Sequence, residues 1–181
     1  MENKVEIFVK PKAKNTNESP LRFRGLFTVE CFDAKGNLKW KDIAKNAATD
    51  EGLNHILDVQ FHGETPVSPW YIGLIKGTGT LAAEDTLASH AGWTECVLTT
   101  DYTGNRKEWT EGASSGKSMT NAVTVDFAML TSITVKGAFL CGAATLTAAK
   151  LFCTALFTGG DQAVDSGDTL KVTYSVSAAA A

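Results

Sequence analysis

Long apolar runs are missing from this sequence. The longest, such as Ala138–Leu140 and Leu151–Phe152, are interrupted by Gly, Cys and Thr and fall far short of the roughly 20 residues that a membrane span needs. No transmembrane helix and no membrane partner are therefore expected. An excess of positive charge is missing too: 17 basic residues face 20 acidic ones, for a formal net charge of -3. No global positive field exists to hold a nucleic-acid backbone, so direct nucleic-acid binding is not expected. The Met1–Glu6 segment lacks the charged start and hydrophobic stretch of a secretory signal, which predicts synthesis and maturation in the cytosol.

Metal chemistry has little to work with. The four cysteines, Cys31, Cys96, Cys141 and Cys153, form no Cys-x-x-Cys or Cys-x-x-His pair, and in a reducing compartment each reads as a small buried hydrophobe. The three histidines, His55, His62 and His90, show no ligand spacing, so no zinc site and no cofactor are expected. Gly112-Ala-Ser-Ser-Gly116-Lys117-Ser118 invites comparison with a phosphate-binding loop, but three residues separate its glycines where that motif needs four, a preceding strand and a following helix. It reads as a polar surface loop. Ser89 and His90 are neighbours in sequence, and adjacent residues rarely face one another as nucleophile and base. Asp58, Glu64, Glu84, Asp85 and Glu95 offer carboxylates without a recognisable pairing. No catalytic residues are assigned, and the chain is expected not to be an enzyme.

What the sequence does contain is strand pattern. At 181 residues it suits one domain. Phe27, Val29 and Cys31 alternate with Thr28 and Glu30, Asp33–Asn37 supplies a turn around Gly36, and Leu38 and Trp40 lie on the return strand. Further strands are predicted over Pro69–Ile75, Glu95–Tyr102, Ala122–Ala128, Ser132–Cys141, Lys150–Leu156 and Thr169–Val176. The last is the cleanest, because Leu170, Val172, Tyr174 and Val176 alternate with Lys171, Thr173 and Ser175. One helix is predicted over Thr49–Gln60, capped by Thr49 or Asp50, with Leu53, Ile56, Leu57 and Gln60 on one face. Gly-rich turns punctuate the rest. The expected fold is all-β: a single β-sandwich, with a jelly roll as the topology in view, one short helix and an extended N-terminal arm.

The arm is residues 1–25, the sandwich 26–177 and a frayed tail 178–181. Lys4, Lys10, Lys12, Lys14, Arg22 and Arg24 outweigh Glu2, Glu6 and Glu18 in the arm, and Pro11, Asn15, Asn17 and Pro20 break any periodicity. It reads as an arm or edge strand, either loosely held like most termini or ordered on a neighbouring subunit. The middle of the chain is aromatic-rich: Trp70, Tyr71, Trp93, Tyr102 and Trp109 are interleaved with His90, Arg106 and Glu111. Trp70 and Trp93 read as core, whereas Trp109, among Arg106, Lys107, Glu108 and Glu111, reads as an exposed contact residue. Arg106 and Trp109 are thus the candidate interface.

Five segments, taken in order, carry a family resemblance: Asn46–Asp58, Pro69–Leu74, Asp85–Glu95, Tyr102–Arg106 and Gly167–Val176. Together they resemble a family of small structural proteins of tailed bacteriophages, over most of residues 26–177. The resemblance implies a virion component and carries no catalytic residues. The expected role is a capsid decoration, or cement, protein on the capsid surface, made in the host cytoplasm and binding the major capsid protein as a homodimer or homotrimer. The arm residues Lys4, Lys10, Lys12, Lys14, Arg22 and Arg24 would then make the capsid contact. The alternative is a tail, fibre or head-fibre component that meets host-surface glycans through Trp109.

Overall fold

Asp33 fixes the first hairpin. Its carboxylate accepts the backbone amides of Lys35 and Asn37 at 2.8 Å each, and Gly36 takes the left-handed conformation, φ 84°, that glycine adopts without steric cost. The turn joins β1 (Leu21–Phe32) to β2 (Leu38–Lys45). The structure is a computed structural model and describes residues 21–180. Next, β3 (Ala47–Ala48) leads into helix α1 (Asp50–Leu57), which continues as a π-helical turn over Asp58–His62. There follow β4 (Trp70–Lys76), β5 (Thr94–Glu95), β6 (Lys107–Trp109), β7 (Ser118–Thr120), β8 (Val125–Ala128), β9 (Ile133–Val135), β10 (Gly137–Cys141), β11 (Leu151–Leu156), β12 (Gln162–Val164) and β13 (Thr169–Ala180).

These strands form an antiparallel β-sandwich. One sheet runs β2-β1-β13, with β7 and β8 both pairing along the far edge of β13; the other runs β3-β11-β10-β4, with β5 and β6 along β4. A two-stranded ribbon of β9 and β12 completes the fold. The inner faces follow the period-2 rule. Phe27, Val29 and Cys31 of β1, Phe127 of β8, and Leu170, Val172 and Tyr174 of β13 meet Ile72 and Leu74 of β4, Ala138 and Leu140 of β10, and Cys153 and Ala155 of β11 in one buried cluster. The outer face of the second sheet is also covered, because Ile75, Phe139, Cys141 and Leu151 pack with Leu87 and Trp93 from the long β4–β5 connection. Gly73 makes room there: a Cβ on it would lie 2.2 Å from the Phe139 ring.

The pairing carries the sandwich and does not establish the jelly roll, since consecutive strands β1 and β2, and likewise β10 and β11, pair as hairpins within one sheet. Several boundaries differ from the sequence expectation. Glu95–Tyr102 is mostly loop, organised by Asp101, whose carboxylate accepts the Val97 amide at 2.6 Å and the Lys76 ammonium at 2.5 Å. Ser132–Cys141 is two strands in different sheets, divided at Lys136, whose amide is bonded to Ile75 and whose carbonyl accepts the Phe157 amide. The segment 178–180, expected to fray, instead extends β13 and pairs with Leu21–Phe23. Residues 21–25 of the expected arm belong to β1, and residues 1–20 lie outside the described residues.

Candidate functional site

Helix α1 is docked by its polar side. Thr49 caps it, accepting the Gly52 amide at 3.1 Å and donating its own hydroxyl to the Leu151 carbonyl. Glu51 accepts the Leu151 amide at 2.7 Å. Gly52 lies against the β11 backbone, and the buried ring of His55 accepts the Val67 amide at Nε2, leaving Nδ1 to donate to Glu64 at 3.1 Å. Trp70 packs edge-on against both His55 and Phe152. The helical face predicted to carry Leu53 and Leu57 is not the face that packs on the sheet. The close approach at Gly52 turns that stripe outward, and Leu53, Leu57 and Phe61 are 42%, 55% and 81% exposed. With spacing of four residues they lie along one side of the helix and its π-helical extension.

The candidate interface residues of the middle segment are not at the surface. Trp109 is 4% exposed and Arg106 is 3% exposed. Trp109 lies within the inter-sheet core, edge-on to Tyr174, with its indole N–H donating to Asn121 at 2.7 Å. The adjacent Glu108 takes the opposite, exposed side of β6, as strand alternation requires, which is why the sequence context misleads. Arg106 makes a two-pronged ion pair with Glu95, both bonds 2.7 Å, and donates to the carbonyls of Ala143 and Leu146 at 3.0 Å. Such a guanidinium ties the end of the β5–β6 loop to β5 and to the β10–β11 loop. Both residues are corrected from contact residues to structural ones. Trp93 is buried with its N–H on Asp85 at 2.9 Å, and Trp70 is half-buried.

His90 stacks on Trp93 with ring centroids 3.8 Å apart, and its Nδ1 lies 3.1 Å from the Trp93 carbonyl. Ser89 turns its amide back to Thr86. The Gly112–Ser118 segment closes as a two-residue hairpin turn: Ser115 and Ser118 exchange backbone hydrogen bonds, and Gly116 and Lys117 both have positive φ, 59° and 64°. That turn geometry matches the twist of the strands it joins, and it feeds β7 rather than a helix. Among the described residues no group of His, Cys, Asp and Glu is placed to hold a metal ion. No helix among them is long and apolar enough to cross a membrane.

A second surface lies at the end of the sandwich where β1 and β13 overhang. Arg22, Phe23 and Arg24 are exposed there, opposite Ala179, Ala178 and Ser177. A depression of about 530 Å³ is lined by Phe23, Arg24, Lys45, Asn46, Ser118 and Ser177 among others. Of the proposed arm contacts, Arg22 and Arg24 are thus solvent-facing, and Lys4, Lys10, Lys12 and Lys14 lie outside the described residues. Sequence reasoning missed the helix stripe and this overhang as surfaces. The stripe is visible in the sequence as apolar periodicity, which by itself does not say whether it faces the core or solvent. No protein-family model matches the chain, and no match is found among curated proteins.

Proposed function

We propose that this protein is a non-enzymatic structural subunit of a bacteriophage virion, acting as a capsid decoration protein that binds the major capsid protein lattice in many copies. The observation that carries the interaction role is the outward apolar stripe Leu53, Leu57 and Phe61 on a firmly docked helix. Monomeric proteins seldom leave such a stripe in water, and contiguous exposed apolar patches mark interaction surfaces. Covering Phe61 is worth at most about 1.5–3 kcal/mol and the half-exposed Leu53 and Leu57 about half that each, and repetition across a lattice makes modest single contacts collectively strong. The phage assignment rests on the sequence resemblance over residues 26–177, and the choice of capsid rests on the suitability of a rigid β-sandwich with an arm for clipping onto a shell. Host-glycan binding through Trp109 has lost its support, because that ring is enclosed between the sheets.

The test is particle binding by the double variant Leu57→Asp, Phe61→Asp. Both side chains are exposed, so the fold and melting temperature stay at the parent level while occupancy on capsids lacking the protein falls at least tenfold. Undiminished occupancy on those capsids contradicts the proposal.

A further inference from the structure

The long strand β1 has one open edge. Its first residues pair with β13 on one side, from Leu21 opposite Ala180 to Gly25 opposite Val176. On the other side β2 begins pairing only at Leu26, with one further bond from the Asn46 amide to the Gly25 carbonyl. Among the described residues no strand flanks Leu21–Arg24 on that side. Antiparallel pairing alternates its hydrogen-bonding residues. Since Gly25 bonds toward β2, the amide and carbonyl of Phe23 and Leu21 point into the open edge. The Phe23 side chain shares the face of Phe27 and Val29 but overhangs the opposing sheet and is 40% exposed. Arg22 and Arg24 stand on the opposite face.

An exposed edge of this kind is a template for another strand. Two copies of the edge pair poorly with each other: a two-fold axis at Phe23 sets Arg22 opposite Arg24, and like charges directly opposite are destabilising. Residues 4–10, Lys-Val-Glu-Ile-Phe-Val-Lys, are the complement. Run antiparallel, this segment places Ile7 opposite Phe23 on the apolar face and Val9 at the register position of Leu21. On the other face it places Glu6 opposite Arg24 and Phe8 opposite Arg22, an ion pair and a cation–π pair. Pro11 follows and ends the run, because proline cannot donate to a ladder.

We propose that the Glu6–Val9 segment of a second copy adds as a strand to the open edge Leu21–Arg24, so that copies of this chain are linked by exchange of their N-terminal arms. A second copy is favoured over the chain's own segment by the sequence just before β1, because a proline at position 20 disfavours the helical conformation of the residue ahead of it and so works against a tight return onto the same edge. Eleven residues, 10–20, can reach up to about 36 Å, roughly the width of a domain of this size and enough to meet a neighbouring copy. Main-chain bonds supply the affinity and the alternating side chains set the register, as in other strand additions. The inference concerns contacts between copies and stands whether or not the assembly is a virion.

Co-expression of two full-length single variants, Ile7→Cys and Phe23→Cys, followed by mild oxidation, tests it. Hydrogen-bonded antiparallel pairs have a Cα separation compatible with a disulfide. The four native thiols are all buried and their pKa values are raised to about 11 or 12, so they do not compete. The expected result is a covalent dimer that requires both variants. Absence of that dimer overturns the proposal, as does a cross-link that forms only within one chain carrying both substitutions. As a second readout, Glu6→Arg weakens self-association at least tenfold by sedimentation, and Arg24→Glu in the same chain restores it; failure of the restoration overturns the register.

Discussion

Gly52 faces the carbonyl oxygen of Phe152 so closely that a Cβ on it would lie 2.2 Å from that oxygen. The neighbour is backbone of β11, held in the second sheet by pairing with β10 and β3, so it cannot yield cheaply. Gly52→Ala therefore lifts α1 from the sheet despite the higher helix propensity of alanine. The expected outcome is destabilisation of about 1–3 kcal/mol in denaturant unfolding, accompanied by loss of the Thr49 and Glu51 contacts to Leu151. Stabilisation, as propensity alone would give, contradicts this account of the docking.

Tyr102 is fully buried and its hydroxyl has no hydrogen-bond partner among the described residues. Burial drives its pKa well up, and the ring sits edge-on to Phe127 with centroids 4.9 Å apart. Removing an unsatisfied buried hydroxyl relieves a desolvation penalty of about 1–3 kcal/mol. Tyr102→Phe is expected to raise the melting temperature, as thermal unfolding followed by circular dichroism will show; a fall means that the hydroxyl has a partner.

Asp42 ties β2 to the turn after β11. Its carboxylate accepts Gln162 Nε2 at 2.8 Å, both its oxygens take the Gly159 amide at 3.1 Å, and one oxygen also accepts Thr158 Oγ1 at 3.1 Å. Burial alone would raise its pKa, but the bonds from Gln162, Gly159, Ile43 and Thr158 together outweigh it and hold the value below the ordinary 3.8. A depressed folded-state pKa means that Asp42 contributes its full stability above 3.8 and loses it as the pH falls through the lower folded-state value. Asp42→Ala is expected to cost about 2 kcal/mol at neutral pH, and the difference from the parent protein should shrink below pH 3.8. A pH-independent difference in urea unfolding contradicts the assignment.

Much of the sandwich was legible because its strands obey a simple period. Leu170, Val172 and Tyr174 alternate inward and are buried without exception, and the Asp33–Asn37 turn carries its own chemistry in Asp33 and Gly36. The surface was far less legible. Leu53 and Leu57 look like core residues, and only the backbone approach at Gly52, a property of the β11 main chain, turns them to solvent. Trp109 looks exposed because its sequence neighbours are charged, yet on the strand the adjacent Glu108 takes the solvent side and leaves the indole to the core. Arg106 gave no sign that Glu95 and the carbonyls of Ala143 and Leu146 would gather around it, since that cluster depends on loops distant in sequence. The open edge at Phe23 follows from where β2 stops, which no local pattern encodes.

The central claim is that the protein is a repeated component of a virion shell, and the most direct measurement is its copy number relative to the major capsid protein in purified phage, by quantitative mass spectrometry. A decoration role predicts a ratio near one or a simple lattice fraction. A handful of copies per particle, or none, contradicts it.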